Sequence, residues 1–339
     1  MIARETLSAI RFGLGLSPGD SPSADTGALL EAARRSSQRR KGESLKARAA
    51  LLIALRDARN AARDGGKEDK GPEQNIRRQA VRDMRRILTD AVEGPGFGER
   101  LVLFWADHFT VAASNQQLRD LVPEFVQSAI RHHIAGRFSD MLEAVMTHPG
   151  MLLYLNQTNS VGPNSVAGKR RDRGLNENLA REALELHTLG VNGRYSQNDV
   201  RNLALVLTGL SADQNGFLYR NAIAEPGRHT VLGKSYGGPE KTLDHVRAAL
   251  SDISRHDDTA QHIATKLVTH FVGSPDNADL VDTVASAFRN SDGNLTATYR
   301  ALLMHDAAWE PELKKAKTPI EFVASSLRAA NVTKAEIDK

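Results

Sequence analysis

The chain has 339 residues, 40 % hydrophobic, 25 % charged and only 5 % aromatic, with a net charge of +4. That is enough apolar material for a sizeable core, and Ala and Leu supply most of it rather than the residues strands favour. The absence of cysteine excludes disulfides, thiolate metal sites, thiol nucleophiles and iron–sulfur clusters.

In chain order, Leu7 to Phe12 reads as a short helix stopped by the turn Gly13-Leu14-Gly15. Leu29 to Arg63 reads as one or two amphipathic helices with a break near Gly42, and Asp64 to Pro72 as a glycine-rich linker. Asn75 to Val92 carries apolar residues at Ile76, Ala80, Val81, Met84, Ile87, Leu88 and Ala91, which is the helical period. Phe97 to Thr110, Leu118 to His133 and Phe138 to Met146 continue in the same mode. Asn156 to Gly174 is the longest expected loop, and segments of that length are more often functional or disordered than plain connections. A helix from Asn176 to Leu189 comes next, stopped by Gly190, and then another from Ser196 to Leu207. The strand-like runs, Phe217-Leu218-Tyr219 and Thr230-Val231-Leu232, are expected to form one small hairpin. Helical patterning resumes at Lys241 and runs through Ile263 to Phe271, Leu280 to Phe288, Leu295 to Leu303 and Ile320 to Ala329. The expectation is one mainly α, multi-helix globular domain over 1–339, with flexible loops at 64–72 and 156–174.

No apolar run is long enough to span a bilayer, and the start, Met1 to Leu7, lacks the pattern of an export signal. A soluble cytoplasmic protein is expected, or a periplasmic one if an export segment precedes this sequence. From Thr26 to Arg100 there are 18 lysines and arginines against 11 acidic residues. The acids are interleaved and no groove-reading motif is present, so a solvated helix surface is expected rather than nucleic-acid binding.

The densest polar cluster is the 176–190 segment. At 100° per residue Glu177, Asn178, Arg181, Glu182 and Glu185 share one helix face, and Leu179, Ala180, Ala183, Leu184 and Leu186 the other, with His187 among them. Glu177–Arg181 and Arg181–Glu185 are i,i+4 pairs that commonly solvate a surface helix. The same residues could converge on a cleft, where a carboxylate acts as acid or base or the group holds a divalent cation. His108, His148, His187 and His229 could meet as metal ligands, although no local His-x-x-x-His pair supports this. Lys169, Arg170 and Arg171 lead into the 176–190 helix and would suit an anion at its positive end. Phosphate-loop and dinucleotide motifs are absent.

Arg11-Phe12-Gly13-Leu14-Gly15, the run Glu99 to Thr110 and the run His148 to Leu155 resemble successive signatures of one bacterial family, catalogued as domain of unknown function 1800. Its most specific motif is matched by Asn176 to Glu182 with Glu185 to Gly190, and Asp199-Val200 and Leu207-Thr208-Gly209 come after it in order. The resemblance runs from about Ala9 to about Ala329 and supplies no established reaction. Many relatives look exported and are encoded beside a phosphatase- or sulfatase-like protein, so the resemblance implies such a partner. Relatives continue into a Gly-, Pro- and Trp-rich stretch where this sequence stops at Lys339, so a C-terminal segment is expected to be lacking. Two functions are open: a hydrolytic or metal-assisted enzyme with Glu177, Arg181, Glu182, Glu185 and His187 as catalytic residues, or a non-catalytic binding or assembly protein. Burial of the carboxylates in a pocket would favour the first, and their neutralisation by arginine the second.

Overall fold

The computed structural model describes residues 2–39, 43–64, 69–170, 174–213, 215–274 and 276–339. The N-terminal half is built from α1 (Arg4–Arg11), α2 (Thr26–Gln38), α3 (Leu45–Arg63), α4 (Gly71–Glu93), α5 (Gly96–His108), α6 (Gln116–Phe125), α7 (Phe138–Thr147) and α8 (Pro149–Tyr154). The short α9 (Asn178–Glu182) and α10 (Gln197–Leu207) precede two hairpins, and α11 (Leu243–Ser254), α12 (Asp257–Val272), α13 (Ala278–Asn290), α14 (Leu295–Met304), α15 (Pro319–Ala329) and α16 (Lys334–Ile337) complete the chain. The break expected near Gly42 and residues 65–68 of the expected 64–72 linker fall outside the described residues, and α4 already begins at Gly71.

The two strand-like runs are not partners of each other. β1 (Leu210–Asp213) pairs antiparallel with β2 (Gly216–Tyr219), and β3 (Gly227–Val231) with β4 (Lys234–Gly238). Each run therefore folds onto its nearest neighbour, the pairing that costs least loop entropy. With only these two small sheets among the described residues, the fold is mainly α.

One hydrophobic core extends from Phe12 to Ala308. At its centre α5 buries Phe97, Leu101 and Trp105. Trp105 Nε1–H donates a 2.7 Å hydrogen bond to the hydroxyl of fully buried Tyr299 on α14, which satisfies the polar end of each ring. Phe12, Phe97 and Phe271 pack with centroids 5.6–6.1 Å apart, joining α1, α5 and α12. Among the described residues no helix is long and apolar enough to cross a membrane.

Buried ion pairs lock the helices together. Glu99 receives a two-pronged grip from Arg131 at 2.7 and 2.8 Å, and Ser36 Oγ–H donates to the same carboxylate at 2.8 Å. Arg100 pairs with Glu321 at 2.8 Å and donates to the Gly13 carbonyl. Arg11 donates to the carbonyls of Ala308 and Glu312 at 2.8 and 2.6 Å. Removing one partner of such a pair strands a buried charge, so these polar residues act as fold-specific ties.

The described part of the 156–174 loop is hydrogen-bonded to neighbouring segments. Gln157 donates to the Leu207 carbonyl at 2.9 Å, and Gly162 and Ala167 N–H donate to the carbonyls of Ile223 and Ala222. Buried Glu225 accepts from Asn164 N and Nδ2 at 2.8 and 2.6 Å. Burial lowers Lys241 to about 8, Glu225 opposing the shift, and Lys241 donates to the Leu205 carbonyl.

Candidate functional site

Asn176 sets the entry to the motif helix. Its Nδ2–H₂ donates to the carbonyls of Leu155 and Asn156, both at 3.0 Å, and its Oδ1 accepts from the Asn178 N–H at 2.9 Å. The helix then makes one α turn, Asn178–Glu182, and widens into a π turn, Ala183–His187. A π turn holds an extra residue and rotates the downstream side chains relative to an α-helix. This corrects the expected wheel: Leu186, placed with the apolar face, is 45 % exposed, while His187 is 4 % exposed.

The wide turn ends abruptly. Gly190 sits at φ +88°, and a Cβ there would lie 2.7 Å from His262 Nδ1, so conformation and close packing both require glycine. The last carbonyls of the turn would be orphaned inside the fold. Two imidazoles satisfy them: His262 Nε2–H donates to Leu186 O at 3.2 Å and His108 Nε2–H to His187 O at 3.1 Å. Three histidines thus meet around the end of the motif, with His108 6.0 Å from His187 and 6.2 Å from His262 between ring centroids. Burial first, then the Lys266 charge, holds His108 well below the ordinary imidazole range and takes His187 down to about 3. Burial lowers His262 and Lys266 too. All three rings are neutral at neutral pH. The Nδ1 atoms of His108 and His187 are buried without a hydrogen-bond partner among the described residues.

Of the expected histidine metal set, His108 and His187 are neighbours, while His148 and His229 are engaged with other groups. His148 Nε2–H donates to buried Glu124 at 2.7 Å and its Nδ1 accepts from the Gly150 N–H at 3.0 Å, so both ring nitrogens are spent on structure. His229 lies on β3, near Lys241 and Glu225. Among the described residues no three His, Cys, Asp or Glu side chains are arranged to hold a metal ion, and the Lys266 charge beside His108 and His187 opposes a cation there.

The charged face is a lattice on the surface. Arg181 bridges Glu185 at 3.2 Å and Glu177 at 3.4 Å, all three half-buried. Gln197 on α10 donates to Glu177 at 2.9 Å and accepts from Arg181 at 3.0 Å, and Arg201 stands 3.9 Å from Glu177. Glu182 alone of the three carboxylates has no hydrogen bond or ion pair among the described residues, and burial, then the neighbouring Glu185, raises its pKa. The Tyr195 hydroxyl is pushed up by burial and by Glu185.

Lys169 and Arg170 are exposed and their side chains make no hydrogen bond or ion pair among the described residues; Arg171 lies outside those residues. The helix they lead into has a single α turn whose first N–H is taken by Asn176, which leaves little of the positive end expected to draw an anion. The sequence does not single out His262 and Lys266. Their i,i+4 spacing on one face of α12 is the only local signal, and the groups they reach come from elsewhere in the chain.

A family model described as protein of unknown function, DUF1800, matches residues 8–338. The chain belongs to that family. No curated protein and no solved structure matches it.

Proposed function

We propose that this protein is a non-catalytic binding or assembly protein, and that the surface around 177–191 is where it meets a partner. One observation carries the reading: the motif segment turns the neutral His187 imidazole into the core, and turns outward Leu186 and, just past Gly190, Val191, 45 % and 66 % exposed, beside the Glu177–Arg181–Glu185 lattice. Exposed apolar anchors rimmed by ordered charges suit a protein interface. A hydrolytic centre needs carboxylates aimed at a substrate cavity, whereas two of the three here are neutralised by one arginine.

By the family resemblance the partner is a phosphatase- or sulfatase-like protein. Glu182, the unpaired carboxylate, is the group an enzymatic reading would have to use. Hydrogen–deuterium exchange on this protein alone and mixed with that partner tests the proposal. Protection concentrated between Glu177 and Arg201 supports it; unchanged exchange in that stretch, with protection elsewhere or nowhere, overturns it.

A further inference from the structure

α3 presents two unlike faces. One is anchored: Arg48, fully buried, donates two 2.9 Å hydrogen bonds to Asp83 on α4 and one of 2.7 Å to the Asp120 carbonyl on α6. The other is only half covered. Leu45, Ala49, Leu52 and Ile53 fall on one side at helical spacing and look across a cleft of about 550 Å³ onto Leu121 of α6 and Leu153 of α8. Of α3 only Arg48 and Leu55 are buried, and Leu45, Ala49, Leu52 and Ile53 are only partly covered by the described residues.

The same helix face becomes basic toward its C-terminus. Arg56, Arg59 and Arg63 border the cleft. Arg56 is engaged by Asp57 at 2.9 Å, while Arg59 and Arg63 have no hydrogen bond or ion pair among the described residues. Asp213, at the tip of the β1–β2 hairpin, also borders the cleft and accepts from the Asn215 N–H at 2.7 Å. At 1.5 Å per residue the apolar stretch from Leu45 to Ile53 runs about 12 Å and the arginine stretch about 10 Å. The volume lies within the roughly 300–1,000 Å³ of small-molecule sites. A helix about 10 Å across would need roughly three times as much to be seated along the same length.

From this gradient of apolar floor into unpaired guanidinium we infer that the cleft binds a single-chain aliphatic carboxylate. The chain lies between Leu52 and Ile53 on one wall and Leu121 and Leu153 on the other. The carboxylate is held by Arg59 and Arg63, whose forked donors match its two oxygens.

Isothermal titration with dodecanoate, below its micelle-forming concentration and with dodecanol as the uncharged control, tests this on the full chain. Wild type should bind dodecanoate saturably with one site. The double variant Arg59→Gln/Arg63→Gln, changed only at exposed positions, should lose about tenfold or more of dodecanoate affinity and leave dodecanol unaffected. Ile53→Trp, which fills the cleft, should lose both, and far-UV circular dichroism verifies that each variant is folded. Absence of saturable binding in the wild type, or equal binding in all three proteins, overturns the inference. So does a wild type that binds no dodecanoate but self-associates until Ile53→Trp is introduced, which would assign the cleft to a second copy of the chain.

Discussion

Lowering the pH from about 7.5 to about 5 should draw stability out of this protein through its buried histidines. The unfolded chain carries His187 at the ordinary value of 6.5, whereas the folded chain holds it to about 3, through burial and the nearby Lys266 charge. Because the folded value is the lower one, the native state binds fewer protons throughout that window. The stability is complete above about pH 6.5 and is lost progressively as the pH falls toward about 3. At about pH 5 the difference corresponds to roughly 2 kcal/mol for His187 alone. His108 is shifted in the same direction by the same causes and steepens the loss. Urea unfolding followed by circular dichroism at a series of pH values gives the slope directly. His187→Gln should start from a lower stability at about pH 7.5 yet lose roughly 2 kcal/mol less on going to about pH 5. Asp120, raised to about 6 by burial, acts in the opposite direction, so the difference between the two proteins is the readout, and a variant that keeps the full wild-type slope would refute the assignment of His187 as a buried neutral ring.

Arg48→Met should cost about 3–5 kcal/mol, because it strands Asp83 and Asp120 without their buried cation. Asp120 is already pushed up to about 6 by burial, so calorimetry should find the loss smaller at about pH 5 than at about pH 8, where its charge is uncompensated; equal losses would be wrong for this account. Gly190→Ala should lower stability by about 1–3 kcal/mol through its left-handed backbone and the 2.7 Å approach to His262, read as a shift of the urea midpoint. Glu182→Gln should leave the melting temperature unchanged or slightly raised, since a carboxylate whose pKa is raised by burial without a partner gives the fold nothing when charged. Elemental analysis of purified wild type should find no stoichiometric metal at the histidine cluster, and one equivalent that disappears in His187→Gln would restore the metal-assisted reading.

The helices are legible in the sequence because period and caps agree. The stretch from Ser196 carries its own capping box with Asp199 and folds as α10 almost to the residue, and α5 places Phe97, Leu101 and Trp105 inward at the spacing the pattern shows. The Arg181 lattice is readable from i,i+4 spacing alone. The π turn is not, because it depends on Gly190 admitting His262 and on two imidazoles from α5 and α12 receiving the carbonyls it frees. Those partners lie about 75 to 80 residues away in sequence, beyond the reach of a helical wheel. For that reason a wheel assigns Leu186 to the wrong face. The strand runs near 217 and 230 stand out in the sequence, but their short, glycine-bearing or polar partners, Leu-Ser-Ala-Asp and Lys-Ser-Tyr-Gly-Gly, carry too little alternation to announce themselves.

The proposal that the 177–191 surface is an interface is tested most directly by sedimentation velocity of this protein mixed with the phosphatase- or sulfatase-like partner, wild type against the double variant Leu186→Asp/Val191→Asp. Both positions are exposed, so the variant should fold normally. The account predicts a faster-sedimenting complex with the wild type and separate species with the variant. No complex with the wild type, or a complex that survives both substitutions, would contradict it.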